Sequence, residues 1–365
     1  MSSAEQISAR RVARRRRARQ RRMLALGAAI AVLALIVVVL VLSGGGSPSR
    51  GAANTPGATT RGHVGDGRPP ASSAPVELTA HRLATTLPSP LQDAAAVALP
   101  DGTLALFGGL DRSDTSTAGV LIFDGRTVSL SARLPIPQHD AEGALLGNDA
   151  YVFGGGQVSS YDHVLRFDPA TGSVSQAGTL PQARSDAAVA SIGETAYVVG
   201  GYDGANALGT IVAWRAGGPA RTVARLPLSL RYAAVAAVAG RLVIAGGTNG
   251  ESAQREVLRF DPASGRVTTI GRLPDALTHA SAVALDGRVY VLGGRSSPSA
   301  SQTREILAIE PATGEVTKAG RLPLALSDAA ASVLGGRVVL AGGQSVSGTE
   351  SAIYSLAPIP RGSGG

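Results

Sequence analysis

An apolar run that stops on two consecutive glycines recurs along this chain at a nearly constant interval. Glycine weakens a strand because it loses more backbone freedom on folding than other residues and has no side chain to pack. The pairs begin 46, 46, 46, 47 and 49 residues apart, and they are Gly108-Gly109, Gly154-Gly155, Gly200-Gly201, Gly246-Gly247, Gly293-Gly294 and Gly342-Gly343. A fixed period of this length predicts a repeat architecture.

Each repeat closes on Leu-Pro and contains four apolar segments separated by turn residues. From residue 279, "HASAVAL" is followed by "DG", "RVYVLGG", a polar loop, "REILAIE", "PATG" and "EVTKAGRLP". Asp-Gly and proline-containing pairs fit tight connections between strands. The pattern therefore predicts four antiparallel strands in every repeat.

The first strand of each repeat is made of small residues, as in "AAAVAL", "AAVAAV" and "AAASVL". Strands that converge on a central axis leave little room, so alanine and glycine fit there. The second strands are bulkier and show little polar alternation, which is typical of a sheet packed on both faces. We expect sheets that radiate from an axis, with the double glycine where a side chain would meet the next sheet or where φ must be positive.

This pattern resembles the Kelch-repeat family, whose members fold as β-propellers. The resemblance spans residues 87–357 and rests on the double glycine, on the aromatic residues before it, and on the turns Phe167-Asp168-Pro169, Phe260-Asp261-Pro262 and Ile309-Glu310-Pro311. The family's usual tryptophan early in the fourth strand is absent, which marks a divergent, bacterial-type version. Valine stands there instead (Val128, Val174, Val267 and Val316), and Trp214 lies in a third strand.

Six repeats predict an all-β, six-bladed Kelch-like propeller over residues 76–365. The last repeat ends without a fourth strand, whereas a spare apolar segment precedes the first repeat. We therefore expect residues 76–85 to supply the missing strand and to close the ring.

The positive charge of the chain is concentrated at its N-terminus. Residues 1–22 contain nine arginines and one acid, which leaves 25 basic residues (34 less nine) and 25 acidic residues (26 less one) in 23–365.

Twenty uncharged residues follow, 23–42, long enough to cross a bilayer as a helix. Arginines on one side predict a cytoplasmic N-terminus. Residues 43–75, rich in Gly, Ser and Pro, predict a flexible linker. A cleaved leader peptide is the alternative, and the charge distribution favours no nucleic-acid partner.

One face of the predicted propeller carries the longer loops, which join the second strand to the third. Five residues after each Leu-Pro proline, on the same face, stands a column of mostly acidic residues: Asp93, Asp140, Asp186, Tyr232, His279 and Asp328. We expect these to form a ring at the channel mouth, either as caps of loop N–H groups or as ligand groups. Arg184 and Arg231 are expected to neutralise acids or hold an anion there, and Tyr202 to stack on a ligand.

Several kinds of chemistry have no support in the sequence. There is no cysteine, and the five histidines form no closely spaced pair, so no metal site and no cofactor is predicted. Neither a nucleophile elbow nor a phosphate-binding loop occurs.

The sequence therefore favours a membrane-anchored, extracytoplasmic module that binds a protein or glycan through its long-loop face. A carbohydrate-active enzyme such as a sugar mutarotase, acting at the channel mouth, is the alternative that the family resemblance implies.

Overall fold

A computed structural model describes residues 76–296 and 301–359, and these consist of strands, turns and irregular segments. The predicted all-β class is confirmed. Within the described ranges no helix is long and apolar enough to cross a membrane. The predicted basic tail, transmembrane segment and linker, residues 1–75, lie outside those ranges.

The first part of the described chain forms strand β1, which pairs with the last strand of the chain, and one antiparallel group, unit 1. Its strands are β1 (Leu78–Thr86), β2 (Leu91–Gln92), β3 (Ala95–Ala98), β4 (Leu104–Phe107), β5 (Leu110–Asp111), β6 (Thr117–Phe123) and β7 (Val128–Leu146). Unit 1 pairs β3, β4, β6 and the first half of β7, while β2 pairs with β5. The second half of β7 pairs with the next strand, so one continuous strand joins unit 1 to unit 2.

Units 2 to 4 repeat the same antiparallel order with short connections. Their strands are β8 (Asp149–Gly156), β9 (His163–Asp168), β10 (Ser173–Thr179), β11 (Ala188–Ile192), β12 (Thr195–Val199), β13 (Thr210–Trp214), β14 (Arg221–Arg225), β15 (Ala234–Val238), β16 (Arg241–Ala245), β17 (Glu256–Asp261) and β18 (Arg266–Arg272). Unit 2 is β7-β8-β9-β10, unit 3 is β11-β12-β13-β14, and unit 4 is β15-β16-β17-β18.

The remaining strands form units 5 and 6. They are β19 (Leu277–Thr278), β20 (Ser281–Leu285), β21 (Arg288–Leu292), β22 (Arg295–Ser296), β23 (Ser301–Ile309), β24 (Val316–Leu326), β25 (Ala330–Leu334), β26 (Arg337–Ala341), β27 (Gln344–Ser345), β28 (Gly348–Thr349) and β29 (Ala352–Pro358). Unit 5 pairs β20, β21, β23 and β24. Unit 6 pairs β25, β26 and β29, and β1 pairs antiparallel with β29 as the outer strand.

The innermost strands surround a central channel. Each of them contacts the inner strand of the next unit, and β25 of unit 6 contacts β3 of unit 1, so the arrangement is closed. Alanine dominates the channel wall because inner strands this close together leave no space for larger side chains. The hydrophobic core accordingly lies between neighbouring units, in one cluster per interface.

Aromatic pairs mark three of these interfaces. An aromatic residue of a second strand packs on one from the third strand of the following unit, with ring centroids 5.5 Å apart for Phe107 and Phe167 and 5.6 Å apart for Tyr197 and Phe260. Trp214, fully buried, lies 5.5 Å from Phe153 in the same way. Edge-to-face contacts of this kind add specific packing to the apolar burial.

The double glycines fasten each unit to the next. Gly200 has a φ of +61°, and a Cβ built on it collides with the carbonyl oxygen of Leu230 in the following unit. Gly201 donates its N–H to that same carbonyl at 2.8 Å. The other five pairs repeat both features, and Gly343 bonds Leu91, which joins unit 6 back to unit 1. Both reasons predicted for the glycines, close approach of the next unit and positive φ, are confirmed.

Candidate functional site at the channel mouth

One residue from each unit contributes to a closed ring of backbone hydrogen bonds at the mouth of the channel. Every member donates its N–H to the carbonyl of the preceding member at 2.9–3.2 Å, and the first donates to the last. All have φ between 53° and 59°. The members are Asp93, Asp140, Asp186, Tyr232, His279 and Asp328. The column seen in the sequence is therefore a ring in space.

The shared backbone conformation explains much of the residue choice in this ring. The left-handed region is uncommon for residues with a side chain, and Asp and His enter it more readily than most. Tyr232 is the exception, since bulky residues at positive φ are strained and persist only where the surroundings fix them. The ring hydrogen bonds on both sides of Tyr232 provide that restraint.

The four ring carboxylates form two pairs, each served by one arginine. Asp140 lies against Asp186, which holds Arg231 with Oδ2 and Nε 2.7 Å apart. On the other side Asp93 lies against Asp328, whose Oδ2 is 2.5 Å from Nη2 of the arginine at 295. These side-chain contacts replace the capping of loop N–H groups considered from the sequence.

The two aspartates without an arginine have strongly perturbed acidity. Burial, and next the neighbouring carboxylates, raise the pKa of Asp93 and of Asp140 well above the usual range. Two carboxyl groups in contact cannot both ionise cheaply, so each pair tends to keep one proton. One arginine and one proton then balance each pair.

A stack of aromatic rings and one guanidinium group lies at the mouth. Arg231 lies between the rings of Tyr202 and Tyr232, 4.3 and 4.7 Å from their centroids. The ring of Tyr232 stacks on His279 at 3.7 Å, and its hydroxyl group donates to Asp140 at 3.3 Å. Burial lowers the pKa of His279 to about 4, so the imidazole is neutral at physiological pH. The stack and the hydrogen bond from Tyr232 to Asp140 connect residues of units 2 to 5 at the mouth.

One predicted site residue lies elsewhere and one site residue escaped prediction. Arg184 is 1% exposed and donates to the carbonyl of Gly200 at 2.9 Å, so it supports a unit junction instead of serving the mouth. Arg295, which pairs with Asp328, was missed. The repeat contained a signal for it, because Arg295 follows a double glycine at the position that Tyr202 occupies in unit 3.

The channel below the ring contains one charged side chain. Its cavity of about 370 Å³ is lined mostly by alanine, valine and serine, together with Glu142. Glu142 also borders the smaller cavity of about 80 Å³ at the mouth. Burial raises its pKa to about 7. The sequence carried a signal here too, since Glu142 stands two residues after a ring aspartate, where the other repeats have Ala or Ser.

The loops around the mouth expose large apolar side chains. Val158 is 98% exposed and Val346 is 90% exposed, and each lies in a loop between the second and third strands of its unit. Ile136 and Leu228 are also exposed, on connections that lead from one unit to the next. Because the strands are antiparallel, both kinds of connection lie on the same face as the ring.

Comparisons with known proteins agree with this geometry. The model of the Kelch motif matches residues 183–214 and 229–274. The solved structure of YjhT is similar at a TM-score of 0.63 with 14% sequence identity, over 74% of this chain and 95% of that chain. None of the curated proteins matches this sequence. Within the described residues no group of three or more His, Cys, Asp or Glu is placed to hold a metal ion.

The family resemblance inferred from the sequence is therefore confirmed, and the two matched stretches fall in units 3 and 4 of the fold. The chain contains Kelch motifs, and its strands are arranged as a β-propeller.

Proposed function

We propose that this protein is a non-catalytic interaction module that binds a protein partner through the loops around the channel mouth. In this proposal the six four-stranded units are six blades, and β1 completes the last one. Residues 23–42 anchor the chain in the cytoplasmic membrane with the N-terminus inside. The linker, residues 43–75, then holds the propeller outside.

The exposed valines carry this proposal. Val158 belongs to unit 2 and Val346 to unit 6, and these two units flank unit 1 on either side. An apolar side chain fully open to water gains stability only when something covers it, and apolar groups within a polar rim are typical of protein interfaces. The loop of unit 1 between them contributes charged residues, Asp111, Arg112 and Asp114. Two apolar loop tips on either side of a charged loop are the arrangement expected of a surface that binds a protein.

The ring beneath supports the same conclusion. Binding residues are commonly found on loops that a rigid scaffold holds in place. Here the ring hydrogen bonds and the glycine junctions fix both ends of each long loop, so the loops lose little conformational entropy on binding.

Site-specific photo-crosslinking tests the proposal. A photoreactive amino acid is placed at Val158 or Val346 of the full-length chain in its own host, with Leu130 and Val223 on outer strands as controls of comparable apolar character. We expect one discrete crosslinked protein from the loop positions and none from the controls. A crosslink from the controls alone, or none at any position, would contradict the proposal.

The enzyme alternative has one observation in its favour. A carboxyl group with a pKa near 7 suits general acid–base catalysis, and Glu142 has one inside the channel. However, the channel cavity of about 370 Å³ is at the low end of the roughly 300–1,000 Å³ typical of small-molecule sites, and Glu142 is the one charged side chain in its described lining. An NMR assay of sugar anomerisation, with Glu142→Gln as the control variant, separates the two functions. Turnover that this substitution abolishes would establish the enzyme.

A further inference from the structure

A groove on the opposite face, between units 4 and 5, is lined by arginines. It has a volume of about 670 Å³. Its walls are the outer strands of unit 4 and the turn of unit 5 at residues 310–312. The charged side chains in its lining are Arg241, Arg259, Asp261, Arg266 and Glu310.

The strand register places the charges of unit 4 on one face of its sheet. Asp261 pairs with Arg266 across β17 and β18, and Arg259 pairs with Thr268 two residues further along. Because side chains alternate along a strand, Arg259 and Asp261 project from the same face. Arg241 joins the first row from β16, with its Nη2 3.3 Å from Oδ2 of Asp261.

Both acids of the groove already have partners. Asp261 pairs with Arg241 and also accepts the N–H of Ala263 at 2.9 Å. Glu310 pairs with Arg288, with Oε2 and Nη1 3.2 Å apart.

The other two arginines keep their charges uncompensated. Arg259 donates to the neutral carbonyls of Pro311 at 3.4 Å and Ala312 at 3.2 Å. Arg266 is exposed. Over residues 76–296 and 301–359, neither has a carboxylate within ion-pair distance. The groove thus carries two positive charges that no acid balances.

In unit 2 the arginine at the equivalent position is paired with a carboxylate. Arg166 stands at the position of Arg259, and Asp149, diagonal to it on β8, accepts two hydrogen bonds from Arg166 at 2.7 and 3.0 Å. Unit 4 has Arg241 at that position, and it has Arg266 where unit 2 has Ser173. Unit 4 therefore reverses one charge and adds another on an otherwise equivalent surface.

We infer that this groove binds an oxyanion, a phosphate or sulfate group, held by Arg259 and Arg266. Guanidinium groups bind such anions through paired N–H donors. Arg259 is already oriented by the two carbonyls, and the hydroxyls of Ser264 and Thr268 line the same groove as further donors. The inference concerns a second site, on the face away from the proposed partner surface.

Calorimetric titration of the purified full-length chain with inorganic pyrophosphate at low salt tests the site. The double variant Arg259→Gln/Arg266→Gln is expected to bind at least about tenfold more weakly, because it removes both charge-assisted donors. Arg166→Gln, the matched change in unit 2, is expected to leave binding within about twofold, since its charge is already paired. Arg241→Asp is expected to reproduce the arrangement of unit 2 and to abolish binding. Thermal unfolding shows that each variant is folded.

A second arm of the experiment identifies the source of the anion. Sedimentation with phosphatidylglycerol vesicles, compared with phosphatidylcholine vesicles, asks whether a lipid headgroup occupies the groove. Residues 1–42 contribute equally to vesicle binding in every variant, so weaker vesicle binding by Arg259→Gln/Arg266→Gln than by Arg166→Gln supports a lipid phosphate, and pyrophosphate binding alone supports a free anion. The inference is wrong if neither probe binds, or if the double variant and Arg166→Gln bind equally well.

Discussion

Aspartates at the channel mouth and aspartates in the turns of the opposite face differ in the direction of their pKa shifts. At the mouth, burial and then neighbouring acids raise the pKa of Asp93 and Asp140. In the turns, backbone N–H groups lower the pKa of Asp124, which accepts those of Arg126 and Thr127 at 2.8 and 2.6 Å, and that of Asp261.

The difference arises from the hydrogen-bond partners of the backbone N–H groups in the two regions. At the mouth the ring N–H groups bond to ring carbonyls, so none is left for a carboxylate. In the turns the N–H groups point at the carboxylate and favour its charged form. The ionised form of aspartate is thus disfavoured at the mouth and favoured in the turns. Four expected outcomes, ordered from the largest effect, test this contrast.

Glycine at positive φ is expected to matter far more at the mouth than in a turn. Gly200→Ala combines left-handed strain with a collision against Leu230, and we expect a loss of roughly 3–5 kcal/mol of unfolding free energy. Gly217→Ala, in a turn of the opposite face, also has positive φ but meets no atom within 4 Å, so it is expected to lose about 1–2 kcal/mol. Denaturant unfolding measures both. Equal losses would mean that the glycine junctions are not tight.

Arginine removal is expected to show the same contrast. Arg231→Ala leaves the Asp186 side chain, 3% exposed, without its cation, and losing one partner of a buried pair costs about 3–5 kcal/mol. Arg241→Ala breaks a pair with Asp261 in which the arginine is 47% exposed, and we expect no measurable change in Tm. A neutral result for Arg231→Ala would contradict the contrast between the two regions.

Glu142 is expected to make the protein less stable as pH rises. Its pKa is raised from 4.5 to about 7, which corresponds to roughly 3 kcal/mol at most between the two protonation states. Since the folded state holds the proton more tightly, this stability is complete below about pH 4.5 and is lost as pH rises through 7. Glu142→Gln is therefore expected to flatten the decline in unfolding free energy between pH 5 and about pH 8. A parallel decline in the variant would assign the effect to other groups.

Asparagine substitutions are expected to give small effects of opposite sign in the two regions. Asp93→Asn keeps a residue that tolerates positive φ and removes a carboxyl group whose ionised form burial and the neighbouring acids disfavour, so Tm is expected to rise at neutral pH. Asp261→Asn removes the charge that the N–H of Ala263 and Arg241 favour, so Tm is expected to fall slightly at neutral pH and to converge with the wild type in acid. Shifts of the same sign in both variants would contradict the contrast.

The repeat architecture and the positions of the ring residues could be predicted from the sequence. The period of the double glycines, the small inner strands and the turn residues predict the propeller, because each depends on local backbone geometry or on the space near an axis. The column from Asp93 to Asp328 was also visible, since a residue needed once per unit recurs at the repeat spacing.

Three features of the site required the tertiary structure. The partners of the ring acids depend on which side chains meet across units, and Arg295 served the mouth while Arg184 was buried in a unit junction. The pKa of Glu142 depends on the channel that surrounds it. The unpaired charge of Arg259 depends on Arg241, which stands on the neighbouring strand β16 where unit 2 has the acid that pairs with Arg166.

By itself, the sequence determined what repeats, namely the fold, the glycine junctions and the ring positions, because those follow from backbone conformation at a fixed spacing. Only the tertiary structure decided which ring acids keep a proton and which arginines keep a free charge. These properties depend on burial and on neighbours distant in the chain, and electrostatic energies vary steeply with both.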